Sequence, residues 1–361
     1  MSIAAVIERS HKDKESWRYT DLEKLLALPS AAKKASSKTA LPSIADSTDR
    51  HQLVFINGKP QPDMSSLGAL PKGVVEFGKT ECKLHLEDRT CLAMQLIELV
   101  FVNDDKATES ECKLQIEIGQ NARLTIAEHH MSTGAQAAAH IMETEIHLGA
   151  QSKLVHGKIL HDQKNIAHLA RTSATVEEGA YYRNFALLKD ARLTRNEIDV
   201  KLAGKQAQCA LNGIMLLRGK EHIDTLTRIT HAASHGISRQ HYKSIVKDQA
   251  HGVFQGKVMV AQDAQKTDAQ QLSRALLLSD QAEMDAKPEL MIYADDVSCS
   301  HGCTVGDLDA DTLFYLRARG IDEQTARALL LRGFIGEVID NLHVAEWREY
   351  ARDHAGRWLD E

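Results

Sequence analysis

A glycine returns at a nearly constant interval through the middle of the chain, flanked each time by short alternating runs. Ile116-Glu-Ile-Gly119-Gln-Asn-Ala-Arg-Leu124 matches Ile146-His-Leu-Gly149-Ala-Gln-Ser-Lys-Leu154 almost position for position, and weaker copies sit at Thr175-Val-Glu-Glu-Gly179-Ala-Tyr181 and Ile198-Asp-Val-Lys-Leu-Ala-Gly204. The glycines are separated by 30, 30 and 25 residues. A period in that range, filled with two-residue alternation, means stacked coils whose strands pair with the coil above and below. Connections between parallel strands are right-handed in nearly all folds, so the pattern predicts a right-handed parallel β-helix. A sandwich of hairpins would need Asn-Gly or Asp-Gly turns every eight to twelve residues, and this region lacks them. Aromatics make up only 5% of the chain, which suits aliphatic ladders.

Alternation continues through Gln208–Leu217, His222–His231 and Val253–Val260, so the coils are expected to fill 111–305. Helical signals flank them. Ile3, Val6 and Ile7 share one face of a first helix. Thr20 and Glu23 form a capping-box pattern before Leu25, Leu26 and Leu28, with Pro29 marking the end. Trp17 and Tyr19 read as packing residues. From Ser30 to Asp49 the chain is too poor in large apolar residues to repay its ordering entropy and reads as a mobile linker, completing an N-terminal segment over 1–50.

A lead-in of mixed α/β character is expected over 51–110. It begins with Leu53–Ile56 entering a primed turn at Asn57-Gly58, with a return strand at Val74–Phe77, and it includes a short packed helix over Cys91–Val100. A C-terminal helical domain is expected over 306–361. There Asp311 caps Leu313–Arg319, Gly320 closes it, and Asp322 opens a longer helix whose Leu331, Ile335, Val338 and Leu342 share a face. Helices after a solenoid cover its open edge or carry a docking surface.

The chain's 361 residues carry 44 Lys and Arg against 50 Asp and Glu, a formal charge of −6, which argues against nucleic acid or an anionic membrane as the main partner. No apolar run approaches a membrane span, and the start becomes charged within ten residues, so a cytoplasmic protein is expected. Six cysteines without CxxC spacing read as reduced thiols. No phosphate loop of the GxxxxGK[ST] type and no GxSxG elbow is found.

Chemistry concentrates at Ser298-Cys-Ser-His-Gly-Cys-Thr304. In an extended backbone Cys299, His301 and Cys303 share one face. Same-face neighbours on a strand stand about 7 Å apart, whereas two ligands of one tetrahedral ion approach to roughly 4 Å, so a flat strand does not close a site alone. Either Gly302 bends the backbone, or only one or two of these residues bind and the others come from elsewhere, including another chain. Free cysteine also packs as a small hydrophobe. The histidines His231, His235, His241 and His251 suit solvated or locally bonded roles. Asp295 and Asp296 point oppositely and form no dyad.

Five stretches carry a resemblance: Val253–Gln271, Leu276–Asp280, Pro288–Leu290 with Ala294–Val297, Cys299–Gly302, and Leu313–Ile321. Together they closely resemble the SufB/SufD family of iron–sulfur assembly proteins. The early Trp17-Arg-Tyr-Thr-Asp-Leu22 and the Ser300-His-Gly302 run resemble the SufD branch. The match is dense over about 195 to 335.

The resemblance implies a β-helix with helical ends and a non-catalytic scaffold subunit of a SufB–SufC–SufD complex. It implies pairing with SufB, or with a second copy, through the β-helix, and docking of the SufC ATPase through C-terminal helices near Phe314, Tyr315, Arg317 and Arg319. It also implies that His301, with Cys299 beside it, contributes to a transient iron–sulfur cluster shared with SufB, none being tightly held by the isolated chain. Cys303 stands where the family more often has alanine. Two other classes make different demands on the sequence. A β-helix enzyme acting on polysaccharide or acyl groups would want a carboxylate-rich groove or a much shorter coil period, and a self-contained zinc protein would hold its metal in stoichiometric amount.

Overall fold

The computed structural model describes residues 2–27, 41–43, 51–68, 70–71, 73–342 and 344–361. Apart from 41–43, the stretch read as a linker lies outside the described residues. The described chain is mainly β. From Glu81–Leu86 onward successive strands alternate between a ten-stranded and a nine-stranded sheet, so each of about eight coils gives one strand to each sheet, and the pairing from coil to coil is parallel. In-register ladders of inward residues result. One runs Leu92, Leu124, Leu154, Tyr182, Cys209, Ser238, Ala269 and Cys299; the next runs His156, Asn184, Leu211, Gln240, Gln271 and His301.

One corner of the solenoid explains the glycine pattern. Asn121, Gln151, Gly179, Gln206, His235 and Lys266 each take a left-handed conformation with φ between 57° and 62°. That conformation costs a non-glycine residue roughly 1–2 kcal/mol. It is offset here because each corner N–H donates to a carbonyl of the next coil, as Asn121 to Ala150 (2.9 Å) and Gln151 to Glu178 (2.8 Å). Gly119 and Gly149 lie two residues before the corner, while Gly179 occupies it. The structural period therefore shortens to 28 residues between Gln151 and Gly179, where the glycines alone suggest 30.

Three sequence expectations are corrected near the N-terminal end. Cys91–Asn103 is a strand, not a helix, paired with His51–Ile56 on one side and Arg123–Ser132 on the other. Ile97 and Leu99 fill the lumen and Val100 packs outward, and burial on both faces overrides the helical preference of the Leu-rich run. The Asn57-Gly58 turn forms with both residues at positive φ, but its return strand is Lys59–Pro60; Val75–Phe77 pairs instead with Glu81–Leu86. Thr20 caps no helix: Asp21 accepts from the Lys24 N–H, while the Thr20 hydroxyl donates to Asp224 and accepts from His222.

The helices α1 (Ile3–Lys12) and α2 (Leu22–Ala27) lie on the outer face of the nine-stranded sheet. There Val6, Trp17 and Leu22 pack on Ile141, Leu169 and Leu193; Tyr19 is only half-buried. At the other end come α3 (Ala310–Ala318), α4 (Glu323–Ile339) and α5 (Ala345–Asp360). Asp309, not Asp311, caps α3 by accepting from the Thr312 N–H; Asp322 caps α4 as expected. Leu331, Ile335, Val338 and Leu342 are buried, joined by Trp347 and Trp358 of α5. This apolar layer covers the outer face of the ten-stranded sheet over Ile159, Phe185, Leu187, Ile214, Leu216 and Ile245. The helices α4 and α5 thus shield a side of the solenoid and leave its last coil uncovered. No helix among the described residues is long and apolar enough to cross a membrane.

Candidate functional site

The final coil is made of Glu283–Ile292 in the nine-stranded sheet and Ser298–Gly306 in the ten-stranded one. Among the described residues each is the last strand of its sheet, so one edge of each lacks a strand partner. A parallel edge of this kind offers unpaired N–H and C=O groups to another chain. Met291, Ile292, Tyr293 and Val305 are exposed around it. Ile292 and Val305 continue inward ladders of the coils beneath yet face solvent here.

Cys299, His301 and Cys303 sit in the same inward ladders as Ala269, Gln271 and Ser273 of the coil beneath, all three of which are buried. The three soft donors therefore line the open mouth of the lumen, with Cys299 half-buried and His301 and Cys303 exposed. Cys299 packs beside Ala269 and Ala294. Burial pushes both thiols up from their ordinary value, and a partial counter-effect at Cys299 comes from the Ala269 backbone. Without a metal or a cationic neighbour they remain thiols near neutral pH. As strand geometry requires, the three do not converge: among the described residues the one set of three donor side chains within 4.8 Å of one another lies elsewhere, at His130, His140 and His168.

Directly below His301 is Gln271, 3% exposed, whose amide nitrogen and oxygen have no hydrogen-bond partner. An unsatisfied buried amide costs about 1–3 kcal/mol, and the Gln271 side chain lies against Gly256 of the opposite sheet, where a Cβ would come within 1.4 Å of its Nε2. Motif reading did not single out Gln271, whose place one coil before His301 is set by the register of the two strands.

The second group predicted from sequence lies apart on α3. Phe314 (73% exposed) and Tyr315 (57%) stand out from a helix that buries no residue. The Arg319 guanidinium lies 5.1 Å over the Tyr315 ring, and Arg317 pairs with Glu323 of α4 at 3.3 Å. A mixed aromatic and cationic face of this kind is enriched at protein interfaces. Of the four grouped histidines, His231 is buried against Ser238 (2.9 Å) and His251 pairs with Asp285 (2.7 Å), local partners in both cases.

A family model described as SUF system FeS cluster assembly, SufBD core domain, matches residues 101–334. A SufBD-family iron–sulfur cluster assembly protein of Synechocystis is 32% identical, over 93% of this chain and 84% of its own length. The iron–sulfur cluster assembly protein SufD of Escherichia coli is 29% identical over 91% and 84%, and SufD of Bacillus subtilis is 27% identical over 69% and 57%. With two thirds of the chain inside the family model and the solenoid, its helical ends and the Cys299–Gly302 mouth all in place, this chain belongs to the SufBD family of the SUF iron–sulfur cluster assembly system.

Proposed function

We propose that the chain is a non-catalytic scaffold subunit that pairs through its open terminal coil with a SufB-type partner and builds half of a nascent-cluster site there. The observation that carries this reading is the uncapped coil itself: two free strand edges, an apolar rim, and imidazole and thiol donors aimed out of the lumen mouth. Edge strands on a partner would complete the ladders, and the exposed apolar residues would be buried on contact.

His301 supplies a neutral nitrogen ligand or accepts a proton. Cys299 becomes a thiolate when iron or a partner's positive charge lowers its affinity for the proton. The iron–sulfur cluster is cargo of the pair and not a resident of this chain. Phe314, Tyr315, Arg317 and Arg319 form the docking face for a SufC-type ATPase, whose hydrolysis would shift the pair between open and closed arrangements. A cytosolic setting, where thiols stay reduced, suits these donors.

The test is anaerobic co-purification with candidate SufB and SufC, followed by cluster reconstitution and visible spectroscopy. His301→Ala should keep the complex and lose cluster build-up. Undiminished cluster formation in that variant removes His301 from the site, and failure to bind either partner removes the scaffold reading. Self-association of the isolated chain through the same coil would point to a homodimer instead.

A further inference from the structure

His130 projects into the lumen from Arg123–Ser132, and His140 and His168 project from adjacent strands of the opposite sheet, where they are register partners. All three rings are at most 1% exposed. Their centroids stand 4.6 Å (His130 to His168), 5.4 Å (His130 to His140) and 5.6 Å (His140 to His168) apart. One nitrogen from each ring lies within 4.8 Å of the other two.

Hydrogen bonding settles which ring nitrogens are left without a partner. Glu128 is buried and ionised, held well below the usual carboxylate range by Lys158 and His156 against the cost of burial. Its Oε2 accepts from the His130 Nε2–H at 3.0 Å, so the His130 Nδ1 is a bare lone pair, and it has no partner. The Ser110 hydroxyl donates to the Asn103 side-chain oxygen at 2.6 Å and therefore accepts from the His140 Nδ1–H at 2.8 Å. That leaves the His140 Nε2 as a second bare lone pair, also without a partner. Both nitrogens of His168 are unpartnered as well.

Four unsatisfied imidazole nitrogens on three clustered rings inside a closed core would cost several kcal/mol if nothing met them. A ring with one nitrogen anchored by a carboxylate or hydroxyl and the other left as a bare lone pair is the arrangement found in metal-bound histidines, and His130 and His140 both have it. Neutral imidazoles without a thiolate suit zinc and its first-row neighbours.

We propose that His130, His140 and His168 hold one zinc-class divalent ion inside the solenoid. Nitrogens around tetrahedral zinc stand about 3.3 Å apart, so the rings need close by at most roughly 1.5 Å, within reach of small side-chain rotations. Glu128 orients His130 and supplies negative charge nearby, which Lys158 shares at 3.3 Å. With every ring sealed from solvent, the ion enters as the chain folds and exchanges slowly afterwards. The three histidines lie four to six strand spacings, roughly 19–29 Å, from the terminal coil, so the site is separate from the cluster-building mouth. Its role is to close the interior where aliphatic ladders give way to polar groups.

The experiment uses the isolated full chain. Elemental analysis after native dialysis against EDTA should find about one equivalent of metal, and unfolding with chelator followed by refolding with Co²⁺ alone should restore about one equivalent with visible d–d absorption. His168→Ala should lower metal content at least roughly tenfold, while Cys299→Ser and His301→Ala retain it. Metal below about a tenth of an equivalent in both wild-type preparations overturns the proposal, and this reading stands even if His168→Ala fails to fold. Retention by a folded His168→Ala variant, or loss in Cys299→Ser, overturns it too. No partner takes part in these measurements, so their outcome is independent of the scaffold reading.

Discussion

The indole of Trp347 occupies the space that a side chain at position 157 would fill: a Cβ on Gly157 would lie 1.8 Å from the Trp347 Cη2. Gly157 faces outward from Lys153–His161, and its lack of a side chain lets α5 seat its tryptophan edge-on against Phe185, with ring centroids 5.8 Å apart. Gly157→Val should therefore lift α5 from the sheet and cost about 1–3 kcal/mol, while Trp347→Ala should cost about 3–5 kcal/mol. Denaturant midpoints and hydrogen exchange in α5 check this. An unchanged midpoint with α5 still protected in Gly157→Val would contradict it.

Arg195 ties the N-terminal segment to the solenoid. It is 1% exposed, ion-paired with Asp224 and with Glu197 (3.1 Å), donates to the Ser16 carbonyl (2.9 Å), and lies 4.4 Å over the Trp17 ring. Glu197 keeps Arg9 at 3.0 Å when Arg195 is lost, but Asp224 is left buried without a cation. Arg195→Ala should cost about 3–5 kcal/mol and expose the first 20 residues to protease. Wild-type stability with unchanged proteolysis would show that Asp224 finds another partner.

Acid should loosen the coils around His222 and His231. His222 is pushed down to about 3, first by burial and then by His251 and Arg195. His231 falls to about 4, mainly by burial. With folded values below the ordinary 6.5, the unfolded chain binds more protons, so these groups stabilise fully above about 6.5 and lose that contribution as pH falls toward 3 or 4. Stability should drop by up to about 1.4 kcal/mol per pH unit for each group across that window. His222→Gln should remove close to one proton from the slope measured by pH-dependent denaturation; an unchanged slope would place the titration elsewhere.

The exposed face of α3 should matter to association alone. Phe314→Asp and Tyr315→Ser touch no buried contact and should shift folding stability by less than about 0.5 kcal/mol. If this face docks the ATPase, co-purification with it should be lost in the double variant. Retained binding would move the docking surface off α3.

Much of the scaffold was legible because a solenoid is nearly one-dimensional. Two-residue alternation from Ile116 onward and returning glycines specify strand and corner, and the next coil supplies the same environment again. The Leu331, Ile335, Val338 and Leu342 face could be read for the same reason, since a helix announces its buried stripe in its own spacing. Cys91–Asn103 could not: a Leu-rich run buried on both faces has no period that separates strand from helix, and only its two neighbouring strands decide. Thr20 looked like a cap because its neighbours in sequence suit one, whereas His222 and Asp224, two hundred residues away, take its hydroxyl.

By itself, then, the sequence determined the period of the coils, the helical ends and the extended strand that carries Cys299, His301 and Cys303, because each depends on neighbours close along the chain. The tertiary structure alone decided that this strand is the last rung with an open edge, that Gln271 stands in register beneath His301, and that His130, His140 and His168 meet in the lumen. Those relations depend on which coils stack and which face turns inward, and side chains 10 to 38 residues apart become neighbours only when the coils close around them.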